Sequence, residues 1–364
     1  MIVTLRPLVL RLLLLILALG LVAFLAPLPS FPTDRDIYES VSREGMIPGC
    51  FDLQCFRVVV PWTLGQLPGD GYPKWRAFAV ICQALAALLM GRWVSRLGAN
   101  DRSALQVTWL TAFGTGSLYT LFDPFTADPL MHLMGPALML LIVDGRTRAA
   151  TALAAVAVLG KEFAAVPLVV GALWRAQEKR LEEARSLAIA AALVIAVWGA
   201  FNLYARIVWD YTTVHSHSTK LLSGGFIVFW LDHIGLSLAV ASVAAVFGGL
   251  WLVWPAGLHL EPALRRLTWA AMGPLLFFSY VQQPDRALWN FAFVVMPAAA
   301  IVLDRVSAGL GWTLVAIQAL VGLRIGAQLT VVPSVRLTLV AALVTAIVVV
   351  WHSYSSPQRA AILS

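Results

Sequence analysis

Long apolar blocks alternate with short polar stretches along the whole chain. An uninterrupted apolar block of about 20 residues suits a helix that crosses a bilayer. Such blocks fall at 5–26, 76–97, 104–122, 130–144, 186–208, 234–254, 267–281, 288–304, 307–325 and 336–352. The block at 149–174 reads differently. Basic loops flank it at both ends, and Gly160-Lys161-Glu162 lies in its middle, with Pro167 soon after. One straight span would bury a Lys-Glu pair at mid-membrane and break the charge alternation, so two short helices turning at Gly160-Lys161-Glu162 are expected. The pattern predicts an all-α polytopic transmembrane bundle of about twelve membrane segments. It forms a single transmembrane domain over 1–364, with a long loop over 27–75. No internal repeat or low-complexity stretch is visible, and 175–185 reads as a charged, solvated helix extension.

Composition sharpens this picture. Of 364 residues, 60% are hydrophobic and 12% charged, and the mean hydropathy is +0.82. That balance excludes a soluble globular enzyme, a disordered chain and a disulfide-rich secreted module. The net charge of +7 resides in short loops, which is the positive-inside pattern and not a nucleic-acid stripe. Placing Arg6, Arg11, Arg92, Arg96, Arg102, Arg146, Arg148, Arg175, Lys179, Arg180, Arg185, Arg265, Arg266 and Arg305 on one side gives a consistent alternation. Both termini are then cytoplasmic, and the first apolar run is a retained span and not a cleaved leader.

The opposite face collects the ionisable residues of several separate hairpins. These are Asp34, Asp36 and Arg57 in the long loop, Asp123 and Asp128 in the next turn, Lys161 and Glu162, then Asp210, His215, His217, Lys220 and Asp232, and finally Asp285 and Arg286. Cys50 and Cys55 read as a disulfide clip in an oxidising compartment, against the alternative of two free thiols, while Cys82 is a small apolar residue within a span. Arg57, at the head of an apolar stretch, either snorkels to headgroups or clamps a phosphate with two hydrogen bonds. The carboxylates of Asp34 and Asp36 are either helix caps or a general base at the membrane surface. His215 and His217 resemble a metal pair that nothing completes, so no metal site is called and a divalent ion is unsupported.

Four stretches together resemble the bacterial membrane proteins of the C-type glycosyltransferase superfamily, in its short branches. Asp34-Arg35-Asp36-Ile37-Tyr38 resembles their first-loop Asp motif, and Phe56-Arg57-Val58-Val59-Val60-Pro61-Trp62 is similar to a Tyr-Arg-Val-Leu-Val-Pro-Trp motif. Gly160-Lys161-Glu162 and Pro284-Asp285-Arg286-Ala287-Leu288 correspond to two further motifs. The similarity covers roughly 1–305. No soluble C-terminal domain accompanies it, and the Asp-Asp or Asp-Glu pair of many members is here split by Arg35.

The resemblance implies a location in the bacterial cytoplasmic membrane and a polyprenyl-phosphate-linked sugar as donor substrate, with no separate cofactor. It implies inverting transfer to an extracytoplasmic acceptor with a catalytic Asp in the first outer loop. Asp36, nearest the Tyr motif, is the first choice of base, with Asp34 the second. Arg57, Lys161 and Arg286 are expected to hold the donor phosphate, with Tyr38, Glu162, Asp123 and Asp128 in support. Because three cations near a low-dielectric boundary repel one another, the empty site is expected to be over-positive. The expected partners are membrane lipids, the lipid-linked sugar and a further membrane protein. Two other readings compete: a non-enzymatic scaffold or complex subunit, and a lipid or solute transporter, which the lack of a repeat disfavours.

Overall fold

The computed structural model describes residues 2–26, 34–50, 52–69, 71–212, 222–322, 340, 342–348 and 350–351. Among the described residues it is helical, with no strand. The helices are α1 (Ile2–Leu25), α2 (Arg35–Glu44), α3 (Val59–Gly65), α4 (Gly71–Arg96), α5 (Asp101–Ala112), α6 (Thr115–Phe122), α7 (Asp128–Val143), α8 (Thr147–Ala157), α9 (Val166–Gln177) and α10 (Leu181–Trp209). They continue with α11 (Gly225–Ile234), α12 (Leu236–Ala245), α13 (Trp254–Leu260), α14 (Pro262–Val281), α15 (Pro284–Asn290), α16 (Ala292–Leu303) and α17 (Ala308–Gly322). Tight 3-10 turns cover Leu53–Phe56, Glu162–Ala165 and Val246–Val253.

Among the described residues, three helices can cross a membrane by length and composition: α1 over Pro7–Leu25, α4 and α10. Counting the bent pairs α11–α12 (113°) and α15–α16 (71°) as single spans gives five. Several apolar blocks of the sequence are therefore broken helices. The block at 104–122 divides at Phe113 and Gly114, where Gly114 takes an extended backbone and starts α6. Hydropathy registers how apolar a stretch is but not where it bends. Residues 336–339, 341, 349 and 352 of the last block, and His215, His217, Lys220 and both termini, lie outside the described residues.

α4 and α16 form the centre. Trp93 of α4 donates its indole N–H to the Phe293 carbonyl across this interface at 2.7 Å, and eleven of the twelve residues of α16 are buried. α1 packs inward through Leu15, Leu19 and Val22, which recur at helical spacing, while Leu14, Leu17, Leu21 and Phe24 stay exposed. α10 likewise exposes Ile189, Leu193, Leu203 and Ile207. Large apolar side chains left open on the two peripheral helices suit an acyl environment and not water.

The chain reverses between α8 and α9. Lys161, between the two helices, pairs with Asp128 at the N-terminus of α7. A Cβ built on Gly171 of α9 would lie 2.9 Å from Ile142, near the other end of α7. α8 therefore runs back along α7 to its start, and α9 returns towards its end. Each arm is about 17 Å long, roughly half a hydrocarbon core. Gly160 allows the tip to close in, because a Cβ there would stand 2.7 Å from Leu130 and 3.5 Å from Val60.

The stretch between α1 and α4 is a folded cap. Tyr38, Val60, Leu64, Trp75 and Phe125 bury one another, which seats α2 and α3 on the start of α4. The Cys50–Cys55 disulfide, with Cα atoms 6.3 Å apart, closes a short loop. That loop docks on the end of α10: Gly49 N–H donates to the Trp209 carbonyl at 2.8 Å, Thr212 N–H to the Cys50 carbonyl at 3.0 Å, and Ile47 N–H to the Tyr211 hydroxyl at 2.9 Å. Phe56 meets the Tyr211 ring edge-on.

Candidate functional site

Charged side chains from four distant stretches meet where the cap covers the tip of the α8–α9 hairpin. Arg57, just after the 3-10 turn of the cap, clasps Glu162 with two hydrogen bonds, Nε to Oε2 at 3.0 Å and Nη2 to Oε1 at 2.7 Å. Its remaining nitrogen, Nη1, donates to the Tyr38 hydroxyl at 3.4 Å. One residue before Glu162, Lys161 Nζ lies 2.7 Å from Asp128 Oδ1. The second oxygen of Asp128 is taken by Arg286 of α15, so one carboxylate bridges two cations. Asp34 completes the group. Its carboxylate accepts from Gln54 Nε2 at 2.9 Å and feels the charges of Arg57, Arg286 and Lys161.

Helical spacing explains which cap acid turns inward. Tyr38 and Val41 form the buried face of α2. Asp34 precedes Tyr38 by four residues and so shares that face, whereas Asp36 is two residues away, on the other side. Asp36 is accordingly exposed and makes no ion pair among the described residues. Asp123, buried at the end of α6, does not join the cluster and interacts with Tyr72 instead, beside the Arg76 guanidinium.

The cluster is balanced and not over-positive. Arg57, Lys161 and Arg286 face Glu162, Asp128 and Asp34, three charges against three. The expectation of excess positive charge let the nearby acids offset only part of the three cations' charge. A buried cation needs a carboxylate partner: Glu162 serves Arg57, Asp128 is shared by Lys161 and Arg286, and Asp34 adds a third negative charge nearby. Access is unequal: the Arg57 side chain is 10% exposed and Lys161 3%, but Arg286 is 32% exposed. Arg286 Nε also has no hydrogen-bond partner. Of the three cations it is the most exposed.

Burial sets the protonation of the cap residues. It raises the Asp34 carboxyl above its ordinary value, against the pull of Arg57, Arg286, the Gln54 hydrogen bond and Lys161. It pushes the Tyr38 phenol up to about 12, so Tyr38 stays a neutral partner of Arg57. For Arg57 itself burial opposes the charge, but Glu162 and Tyr38 outweigh it and hold the guanidinium protonated.

Residues without an obvious sequence signal also contribute. Gln54 holds Asp34, and Tyr211 anchors the disulfide loop. His132, one helical turn after Asp128, touches Gln83 at 2.7 Å through Nδ1 while its buried Nε2 has no partner. Among the described residues no three His, Cys, Asp or Glu side chains gather as a metal-binding group. Comparison with family models, characterised proteins and solved structures gives no match to this chain.

Proposed function

We propose that the chain is a membrane glycosyltransferase of the C-type, moving a sugar from a polyprenyl-phosphate-linked donor to an extracytoplasmic acceptor with inversion. In this reading it lies in the bacterial cytoplasmic membrane with both termini in the cytoplasm. It has about twelve membrane segments, with α8 and α9 as a re-entrant pair. The observation that carries the reading is the convergence of Asp34, Arg57, Asp128, Lys161, Glu162 and Arg286 at the end of α7 remote from the basic loops.

The chemistry suits these groups. In an inverting transfer the acceptor hydroxyl oxygen attacks the anomeric carbon, and the bond from that carbon to the phosphate oxygen breaks. A carboxylate takes the hydroxyl proton, and cations stabilise the charge that builds on the leaving phosphate. Asp34 is assigned as base over Asp36 because it faces the cations. Arg286 makes the first phosphate contact, Lys161 and Arg57 supply the field behind it, and Glu162 and Tyr38 fix the Arg57 guanidinium.

The test uses the full chain in lipid nanodiscs with polyprenyl-phosphate-linked sugars, transfer being read by mass spectrometry. Asp34→Asn should lower turnover by about a hundredfold or more while retaining donor. Asp36→Asn should leave turnover near that of the unaltered chain, and Arg286→Ala should weaken donor binding. Full turnover in Asp34→Asn overturns the assignment of the base, and transfer from no such donor overturns the reading.

One observation favours a second reading. Because every cation of the cluster already holds a carboxylate, the network also suits a non-enzymatic scaffold or subunit of a membrane complex, in which these pairs fix the cap to the helical body. Cluster variants would then lose stability and a protein partner without any loss of transfer.

A further inference from the structure

At the other end of α7, about 24 Å from Asp128 along its axis, the ends of α1, α4, α5 and α7 enclose a second charged cavity of about 490 Å³. Its polar wall carries Arg11, Arg92, Arg96, Asp101 and Asp144, together with Ser95 and Thr108, and its apolar wall is Leu8, Leu88 and Leu140. Asp144 is consumed by Arg96, at 2.8 Å. Asp101 occupies the first turn of α5, where the helix amides favour a negative charge. Among the described residues Arg11 and Arg92 make no ion pair. Two unpaired guanidinium groups on different helices therefore face one cavity.

We propose that this cavity binds the phosphodiester headgroup of an anionic glycerophospholipid from the cytoplasmic leaflet. Three features select a lipid over a soluble anion. The cavity has an apolar as well as a cationic wall. From Arg11 the same side of α1 continues through Leu14, Ala18 and Leu21 to Leu25, and the three leucines are about half exposed. That stripe is about 21 Å long and offers an acyl chain a track directly below its headgroup. The position also matches the basic, interhelical sites at which anionic headgroups are held on the cytoplasmic side. Two free arginines against one free carboxylate select net negative charge over a zwitterion. The inference rests on the membrane placement proposed above and not on glycosyl transfer.

The experiment titrates the delipidated full chain in neutral detergent with short-chain phosphatidylglycerol and reads bound lipid by native mass spectrometry. One lipid per chain is expected to bind in preference to phosphatidylcholine and phosphatidylethanolamine. Arg11→Gln with Arg92→Gln should weaken it about thirtyfold, two basic residues' worth, and Arg11→Lys with Arg92→Lys should restore most of the loss. Because removing arginines also alters insertion, Ser95→Trp provides a charge-neutral arm: Ser95 is exposed on the cavity rim, and the indole should exclude the headgroup. Equal binding of the zwitterionic lipids, undiminished binding in both the Gln and the Trp variants, or displacement by equimolar inorganic phosphate overturns the proposal. Each of these results is independent of whether the chain transfers sugar.

Discussion

Arg57 and Glu162, 105 positions apart, form a two-point ion pair that fastens the cap to the hairpin tip. A planar guanidinium matches a carboxylate in this way, and lysine does not. Removing one partner leaves the other buried and unpaired, so Arg57→Ala or Glu162→Gln should each cost about 3 kcal/mol. Replacing both by apolar side chains should cost clearly less than the two single changes summed. Denaturant unfolding of the four chains of this cycle measures the coupling.

Asp34 should make both stability and transfer depend on pH. Its folded-state pKa lies above the ordinary 3.8 because burial disfavours the charge. The folded chain thus binds this proton more tightly than the unfolded one. The favourable contribution is full below 3.8 and is lost as pH rises through the folded-state value. Asp34→Asn should abolish that part of the stability profile. With Asp34 as the proposed base, transfer should instead rise with pH around a midpoint above 3.8, and Gln54→Leu should move the midpoint higher by removing a hydrogen bond to the charged form.

The disulfide loop should be worth about 2 kcal/mol through chain closure, and its docking on α10 a further amount. Tyr211→Phe removes the acceptor of the Ile47 amide and should cost about 1 kcal/mol. Thermal unfolding with and without reductant, in both chains, separates the two contributions.

Gly65 has no room for a side chain. A Cβ there would stand 2.0 Å from the Ser42 backbone oxygen, which cannot rotate away. Gly65→Ala should force α3 off α2 and cost about 1–3 kcal/mol. Proteolysis of the cap, followed in time, should accelerate in this variant.

Much of the site was legible before the fold. Basic loops on both sides of 149–174 required the chain to turn back, and the Lys161 contact with Asp128 and the Gly171 approach to Ile142 describe such a reversal. Common sidedness grouped Arg57, Asp128, Lys161, Glu162 and Arg286, which the ion pairs join. Which of Asp34 and Asp36 faces the cluster depends on helical phase and not on closeness to Tyr38 along the chain. Counting back four residues from the aromatic places Asp34 on the inward side. Gln54 and Tyr211 carry no such signal, since their partners are fixed by how the cap docks. The bends between α5 and α6 and between α15 and α16 fall inside apolar runs, where backbone angle leaves no mark on composition.

Asp128 holds Lys161 with one oxygen and Arg286 with the other, and both partners follow it in synthesis, Lys161 soon and Arg286 much later. A ribosome delivers the segment carrying Lys161 soon after Asp128 but reaches residue 286 only after α9 to α14 have been made. Until then the carboxylate is half engaged, and Arg57 with Glu162 is the one ion pair between cap and hairpin among the described residues, beside the Val59 N–H to Leu159 carbonyl bond at 3.3 Å. Arrival of α15 is therefore what brings the last charge of the network to the nascent chain.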